Sequence, residues 1–125
     1  MSDHKPPAFQ AAKTKAVDCQ SMDQVREEID RLDRILVALI HERVGYIEAA
    51  GRIKPKATEV RLEWRIEDVV AKVLATSERE GLSKRIAEPV WRELIDRCID
   101  HEHEIWRQHH GVENSYYENK IKEIR

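Results

Sequence analysis

The chain has 125 residues, 41% of them hydrophobic, 37% charged and 6% aromatic, with four glycines and four prolines. That composition suits one helix-rich domain and supplies too few turn formers for an all-β sandwich or a Rossmann unit. Lys and Arg number 22 against 24 Asp and Glu, a formal charge of −2, so the global basic character of many nucleic-acid binders is absent, and no apolar run is long enough to span a membrane. Cys19 and Cys98 lie far apart and form no CxxC pair, which fits a reducing compartment and excludes a zinc ribbon. The opening MSDHKPPAFQ lacks the apolar core of a signal peptide, so a cytoplasmic location is expected.

Residues 1–18 mix Lys, Pro, Ala and Asp without a period and read as a mobile arm. At Ser21 the pattern changes. Ser21 and Gln24 have the spacing of a capping box, and apolar residues then recur at Met22, Val25, Ile29, Leu32, Leu36, Leu39, Tyr46, Ala50 and Ile53. Steps alternating between three and four predict one long helix with a heptad-like seam, stopped by Pro55. From Ser21 to Lys54 such a helix would be about 50 Å long at ~1.5 Å per residue, against a radius of gyration of roughly 14 Å for a compact chain of this size. Its seam would overhang into water unless a second copy covered it, which predicts a homodimer.

A loop over about 55–59 leads to a second amphipathic stretch, with Leu62, Ile66, Val69, Val70, Val73 and Leu74 inward and Gly81 placed to end it. A third helix is predicted from near Ser83 to near Gly111. It turns Ile86, Val90, Leu94, Ile95, Cys98, Ile99, Ile105 and Trp106 inward and is bent by Pro89. The fold class is therefore all-α: long helix, shorter helix and long helix over residues 19–110, in an intertwined helical-bundle homodimer. Residues 111–125 form a tail with a short helix expected after Asn114, carrying Tyr117, Ile121 and Ile124 on one face.

Charges that interrupt the apolar stripes are the informative positions. Arg43 takes the seam slot between Leu39 and Tyr46, and Lys54 returns to within about 20° of it at ~100° per residue. Glu102 follows Cys98 by one turn on the inward side of the third helix, while Arg65 opens the second helix and Arg26 adjoins the seam near its start. Arg26 and Arg43 are about 25 Å apart along one helix at ~1.5 Å per residue, too far to grip one small molecule. Antiparallel pairing of two copies brings Arg26 of one alongside Arg43, Lys54 and Arg65 of the other. Each cation singly can pair with Glu27, Asp30, Asp33 or Glu48, or reach solvent. Jointly they call for more buried negative charge than one glutamate supplies, which a dianionic ligand would provide.

The segment VREEIDRLDRILVALIHERVGYIEAAGRIK resembles the first helix of the all-helical (type II) chorismate mutases in its leading arginine, its Glu-Arg pair about 17 residues later and its terminal lysine. The resemblance covers Cys19 to about Trp106. It implies a homodimeric isomerase that converts chorismate to prephenate on the shikimate branch toward phenylalanine and tyrosine, with no metal and no cofactor. It also implies site roles: Arg26 reaching in from the partner chain, Arg43 and Arg65 on the substrate carboxylates, Lys54 near the ether oxygen, Glu102 as a second donor there, and Cys98 lining the pocket only. The mutases place carboxylates at the positions matching Leu62 and Ile66, the second of which holds the ring hydroxyl. Both residues are aliphatic here, and a register shift would substitute Glu63 or Glu67. An aliphatic residue there, with the segments DCQSM and IWRQ, is similar to the isochorismate-pyruvate lyases of the same fold, which is the alternative function; a catalytically silent helical dimerisation module is a third. His101, His103, His109 and His110 do not share the spacing of a metal site, and Trp64, Trp91 and Trp106 read as packing.

Overall fold

The computed structural model describes residues 10–111. It contains three α-helices, α1 (Met22–Ile53), α2 (Glu63–Glu80) and α3 (Lys84–His110), and no strand among the described residues. No helix among them is long and apolar enough to cross a membrane. The expected tail helix after Asn114, and the part of the expected arm before Gln10, lie outside the described residues. The chain divides after Gly45 into two compact units, and α1 runs unbroken through the division.

In the first unit, α1 starts as the capping spacing predicts, although its return bond lands one residue early. The Gln24 N–H donates to Ser21 Oγ at 3.2 Å, while Gln24 Oε1 accepts from the Gln20 N–H at 2.7 Å. From Gln10 onward the segment read as an arm lies against α1. Glu28 Oε2 accepts from the Lys13 and Thr14 N–H groups, both at 3.1 Å, and Arg31 donates to Glu28 Oε1 at 2.7 Å and to the Gln10 carbonyl at 2.9 Å. Arg31 and the two N–H groups hold the Glu28 carboxyl below its ordinary value. Along this part of α1 the seam residues Met22, Ile29, Leu32, Leu36 and Leu39 are all exposed.

The second unit holds the core: Ala57, Val60, Ile66, Val70, Ile95, Ile99 and Trp106, with Val69, Leu74 and Trp91 packed against them. The Lys54 N–H makes the last bond of α1, to the Ala50 carbonyl at 2.9 Å, after which Pro55 has no N–H to give. The connector is better ordered than a loop, because a 3-10 turn at Ala57–Glu59 drops Ala57 and Val60 into the core. Gly81, at φ 77°, ends α2 in the left-handed region, where its N–H reaches the Glu78 carbonyl and that of Leu82 reaches Ser77. Ser83 then caps α3 by accepting from the Arg85 N–H at 3.2 Å, and α3 passes Pro89 without a break. Three inward assignments fail. Ile86 and Val90, on the early turns of α3, are exposed at 58% and 53%, and Trp64 at 67%, because they lie on the outer faces of their helices: Ala87, between the first two, is 1% exposed, and Ile66, two residues after Trp64, is 7% exposed.

The end of α1 meets α3 through a glycine. A Cβ on Gly51 would lie 3.0 Å from Ile105 Cγ2 and 3.1 Å from the Glu102 carbonyl oxygen. The side chain can shift by a rotamer, but the α3 backbone cannot. Gly51→Ala should therefore lose about 1–2 kcal/mol in chemical unfolding, despite the ~1 kcal/mol that alanine gains over glycine in a helix interior. A variant as stable as the native chain would show that α1 and α3 have room to separate.

Candidate active site

Lys54 and Glu102 meet at the end of α1. Lys54 Nζ lies 2.7 Å from Glu102 Oε2, with the two side chains 26% and 5% exposed, and it also donates to the Val60 carbonyl at 3.3 Å. The helix stop at Pro55 leaves Lys54 just beyond the last turn of α1, and the Gly51 contact brings that end against α3 where Glu102 projects. Cys98, one turn before Glu102, is buried at 5% exposure. Burial pushes the Glu102 carboxyl above the ordinary glutamate value, and the Lys54 ammonium, pulling the other way by hydrogen bond and charge, does not cancel that rise. The arrangement is a protonatable donor beside a fixed cation, suited to stabilise negative charge developing on an oxygen within reach of both.

Arg65, 54% exposed in its side chain, is held by Asp68 at 2.6 Å, a carboxylate that also takes Lys72 at 3.0 Å. Lys72 first, then Arg65, keeps the Asp68 carboxyl below its usual range. An exposed pair of this kind is screened by water and gives way readily to a ligand carboxylate. Arg65 also stands at the rim of an open groove of about 320 Å³ between α2 and α3, lined by Val69, Val73, Thr76 and Trp91. Arg43 is half-buried and Arg26 exposed on the first part of α1.

The register of α2 keeps Ile66 inward and leaves Glu63 and Glu67 on its exposed side. Ile66 is 7% exposed in the core, Glu63 turns outward to Arg61 at 2.9 Å, and Glu67 takes Arg92 through both oxygens at 2.9 and 3.0 Å. The Arg92 guanidinium, hydrogen-bonded to it, lowers the Glu67 carboxyl from its ordinary value.

Two further residues at this junction escaped the sequence reading. His101 Nε2 lies 2.6 Å from Glu48 Oε2, a second link between α1 and α3. The Trp106 indole N–H donates to the Lys54 carbonyl at 2.8 Å. Helical spacing flagged both histidine and tryptophan without showing what either would meet.

The chorismate mutase type II family model matches residues 25–103, a span running from the first turn of α1 past Glu102. Among curated proteins, an isochorismate pyruvate lyase of Pseudomonas aeruginosa is 28% identical over 95 residues, covering 76% of this chain and 94% of its own length.

Glu102 makes stability depend on pH. Its folded pKa lies above the unfolded value of about 4.3, so the native state holds the proton more tightly. That contribution is complete below the unfolded value and is lost as pH rises through the folded one. Melting temperatures taken from about pH 4 to about pH 8 should fall more steeply for the native chain than for Glu102→Gln, whose amide does not titrate. A native curve that climbs relative to the Gln variant over this window would mean that Glu102 is held as the anion.

Proposed function

We propose that this chain, which belongs to the chorismate mutase type II family, is a pericyclic enzyme of enolpyruvyl dicarboxylates whose main reaction is elimination of pyruvate from isochorismate. The observation that carries the choice is the packing of α2. Ile66, at the position that would hold the ring hydroxyl of chorismate, is aliphatic and packed in the core, while its exposed neighbours Glu63 and Glu67 turn to Arg61 and Arg92. The likeness to the Pseudomonas aeruginosa isochorismate pyruvate lyase points the same way. Rearrangement of chorismate to prephenate is the second reading, favoured by the family model and served by the same pair of donors.

In both reactions the ether bond between the ring and the enolpyruvyl group breaks within one cyclic shift of electrons. In the elimination, a ring hydrogen passes to the enolpyruvyl methylene carbon as that bond breaks, leaving salicylate and pyruvate. In the rearrangement, a carbon–carbon bond forms instead. Neither exchanges a proton with the protein or requires a metal. The protein's part is to hold the folded conformer and to stabilise charge on the departing ether oxygen. Lys54 and protonated Glu102 donate to that oxygen. Arg43, Arg65 and Arg26 from the partner chain hold the two carboxylates, with Cys98 lining the pocket.

The shared site makes the active species a homodimer. Arg26 and Arg43 are about 25 Å apart on α1 at ~1.5 Å per residue, so only an antiparallel second copy supplies both to one ligand. The exposed Met22, Ile29, Leu32, Leu36 and Leu39 are the apolar surface that such a copy would cover.

Incubating the pure protein with isochorismate should give salicylate and pyruvate, at a kcat/KM well above that for prephenate formation from chorismate. Faster prephenate formation would reverse the order of the two readings, and no turnover of either would leave a non-catalytic helical module. Mixing inactive Arg26→Ala and Arg43→Ala chains should restore about a quarter of native activity, because random exchange makes half the dimers mixed and each has one intact site of two. Absence of recovery after demonstrated exchange would rule out a site shared between chains.

A further inference from the structure

A carbonyl at the end of a helix ordinarily turns to water or to a donor in the following loop. The Lys54 carbonyl does neither. Pro55 biases Lys54 away from continuing the helix, and the carbonyl is taken by the buried Trp106 indole at 2.8 Å. Trp106 stands one turn after Glu102 on α3, on the same face. One residue is thus gripped twice by one helix: Glu102 takes the ammonium of Lys54 and Trp106 takes its backbone. The indole is fixed in turn by its place in the core and by the His110 ring, stacked on it at 4.2 Å and 25° one turn further on.

We propose that Trp106 is a positioning residue, whose indole N–H holds the Lys54 carbonyl and thereby sets where the Lys54 ammonium sits against Glu102. Apolar packing alone needs a large ring at this position and makes no use of the N–H. A lysine head on a flexible four-carbon stem has no preferred place of its own, so the fixed backbone at its root and the two acceptors at its tip, Glu102 and the Val60 carbonyl, define its position. The catalytic consequence rests on the functional reading above, whereas the geometric one does not.

The full chain can be assembled by ligation at Cys98, which lets the synthetic part carry a 13C-labelled Glu102 carboxyl and 3-benzothienyl-L-alanine at position 106. That analogue keeps the two-ring shape and replaces the N–H with sulfur. Because Lys54 is the group that pulls the Glu102 carboxyl down, losing its placement should raise the Glu102 titration midpoint, by about half a pH unit or more. In a Lys54→Met background the analogue should produce no further shift. On the preferred substrate, kcat should fall about tenfold with KM within about twofold, as expected when a donor is displaced without loss of the binding arginines. An unmoved midpoint, or an equal shift in the Lys54→Met background, would overturn the proposal. The midpoint is read without turnover, so a chain inactive on both substrates would refute the functional reading and still decide this one.

Discussion

The close approach of the end of α1 to α3 at Gly51 is the constraint on which the site depends. Apart from its own N–H, which closes α1 on Ala50, the groups that hold Lys54 come from α3 or from the connector beside it: Glu102 at its ammonium, Trp106 at its carbonyl, and the Val60 carbonyl as a second acceptor. Each contact lies within hydrogen-bond reach because no side chain separates the two backbones at Gly51. Glu48 and His101 repeat the link one to two turns earlier along α1, so the junction is anchored on both sides of the glycine. The core beneath, from Ala57 and Val60 to Trp106, fixes the connector and thus the acceptor that it presents.

A buried lysine–glutamate pair is poor evidence for stability, since removing both groups from water offsets much of their attraction. Within it, burial and the Lys54 ammonium act on the Glu102 carboxyl in opposite directions. With the carboxyl 5% exposed and facing one cation, desolvation wins and the proton is held more tightly than in water. On the proposed reading, that rise is in the direction the chemistry needs. A carboxylate would repel an ether oxygen gaining negative charge, whereas the acid donates to it. Arrival of a dianion would offset the Lys54 charge and strengthen the proton's hold further, so binding and protonation favour one another.

Most of the helical framework was legible because it is written in local chemistry. The three-four spacing from Met22 onward, Pro55, Gly81, Ser83 and Gly111 are signals that act within a turn, and each marks the boundary observed. The prominence of Glu102 was legible too, since a carboxyl group between Ile99 and Ile105 contradicts its helix's period. What a loosely drawn stripe does not give is the face of a helix that enters the core. At ~100° per residue Ile86 stands opposite Ile95 and Val90 opposite Ile99, and the buried face of α3 begins instead with Ala87, 1% exposed. Nor does spacing along one helix reveal contacts across the chain. Trp106 with Lys54, and His101 with Glu48, pair residues more than 50 positions apart through groups that many sequence patterns would place on a surface or in a core without a partner.

The same distinction bears on which reaction the scaffold favours. A carboxylate aimed at a ring hydroxyl would have to replace Ile66, and Ile66 is part of the layer that α2 lays on α3. Charge placed there would be buried among Val70, Ile95 and Ile99 without a counter-ion, at a cost that folding itself would oppose. The neighbouring glutamates give no easier route. Glu67 is already bound through both oxygens to Arg92, which also holds Glu88, and this three-residue network ties the outer faces of α2 and α3 together. Turning α2 by one residue to present Glu67 would break that network and lift Ile66 out of the core at the same time. On the proposed reading, the preference between the two substrates is therefore set by the register of α2 on its neighbour, while the groups that act on the ether oxygen serve either reaction unchanged.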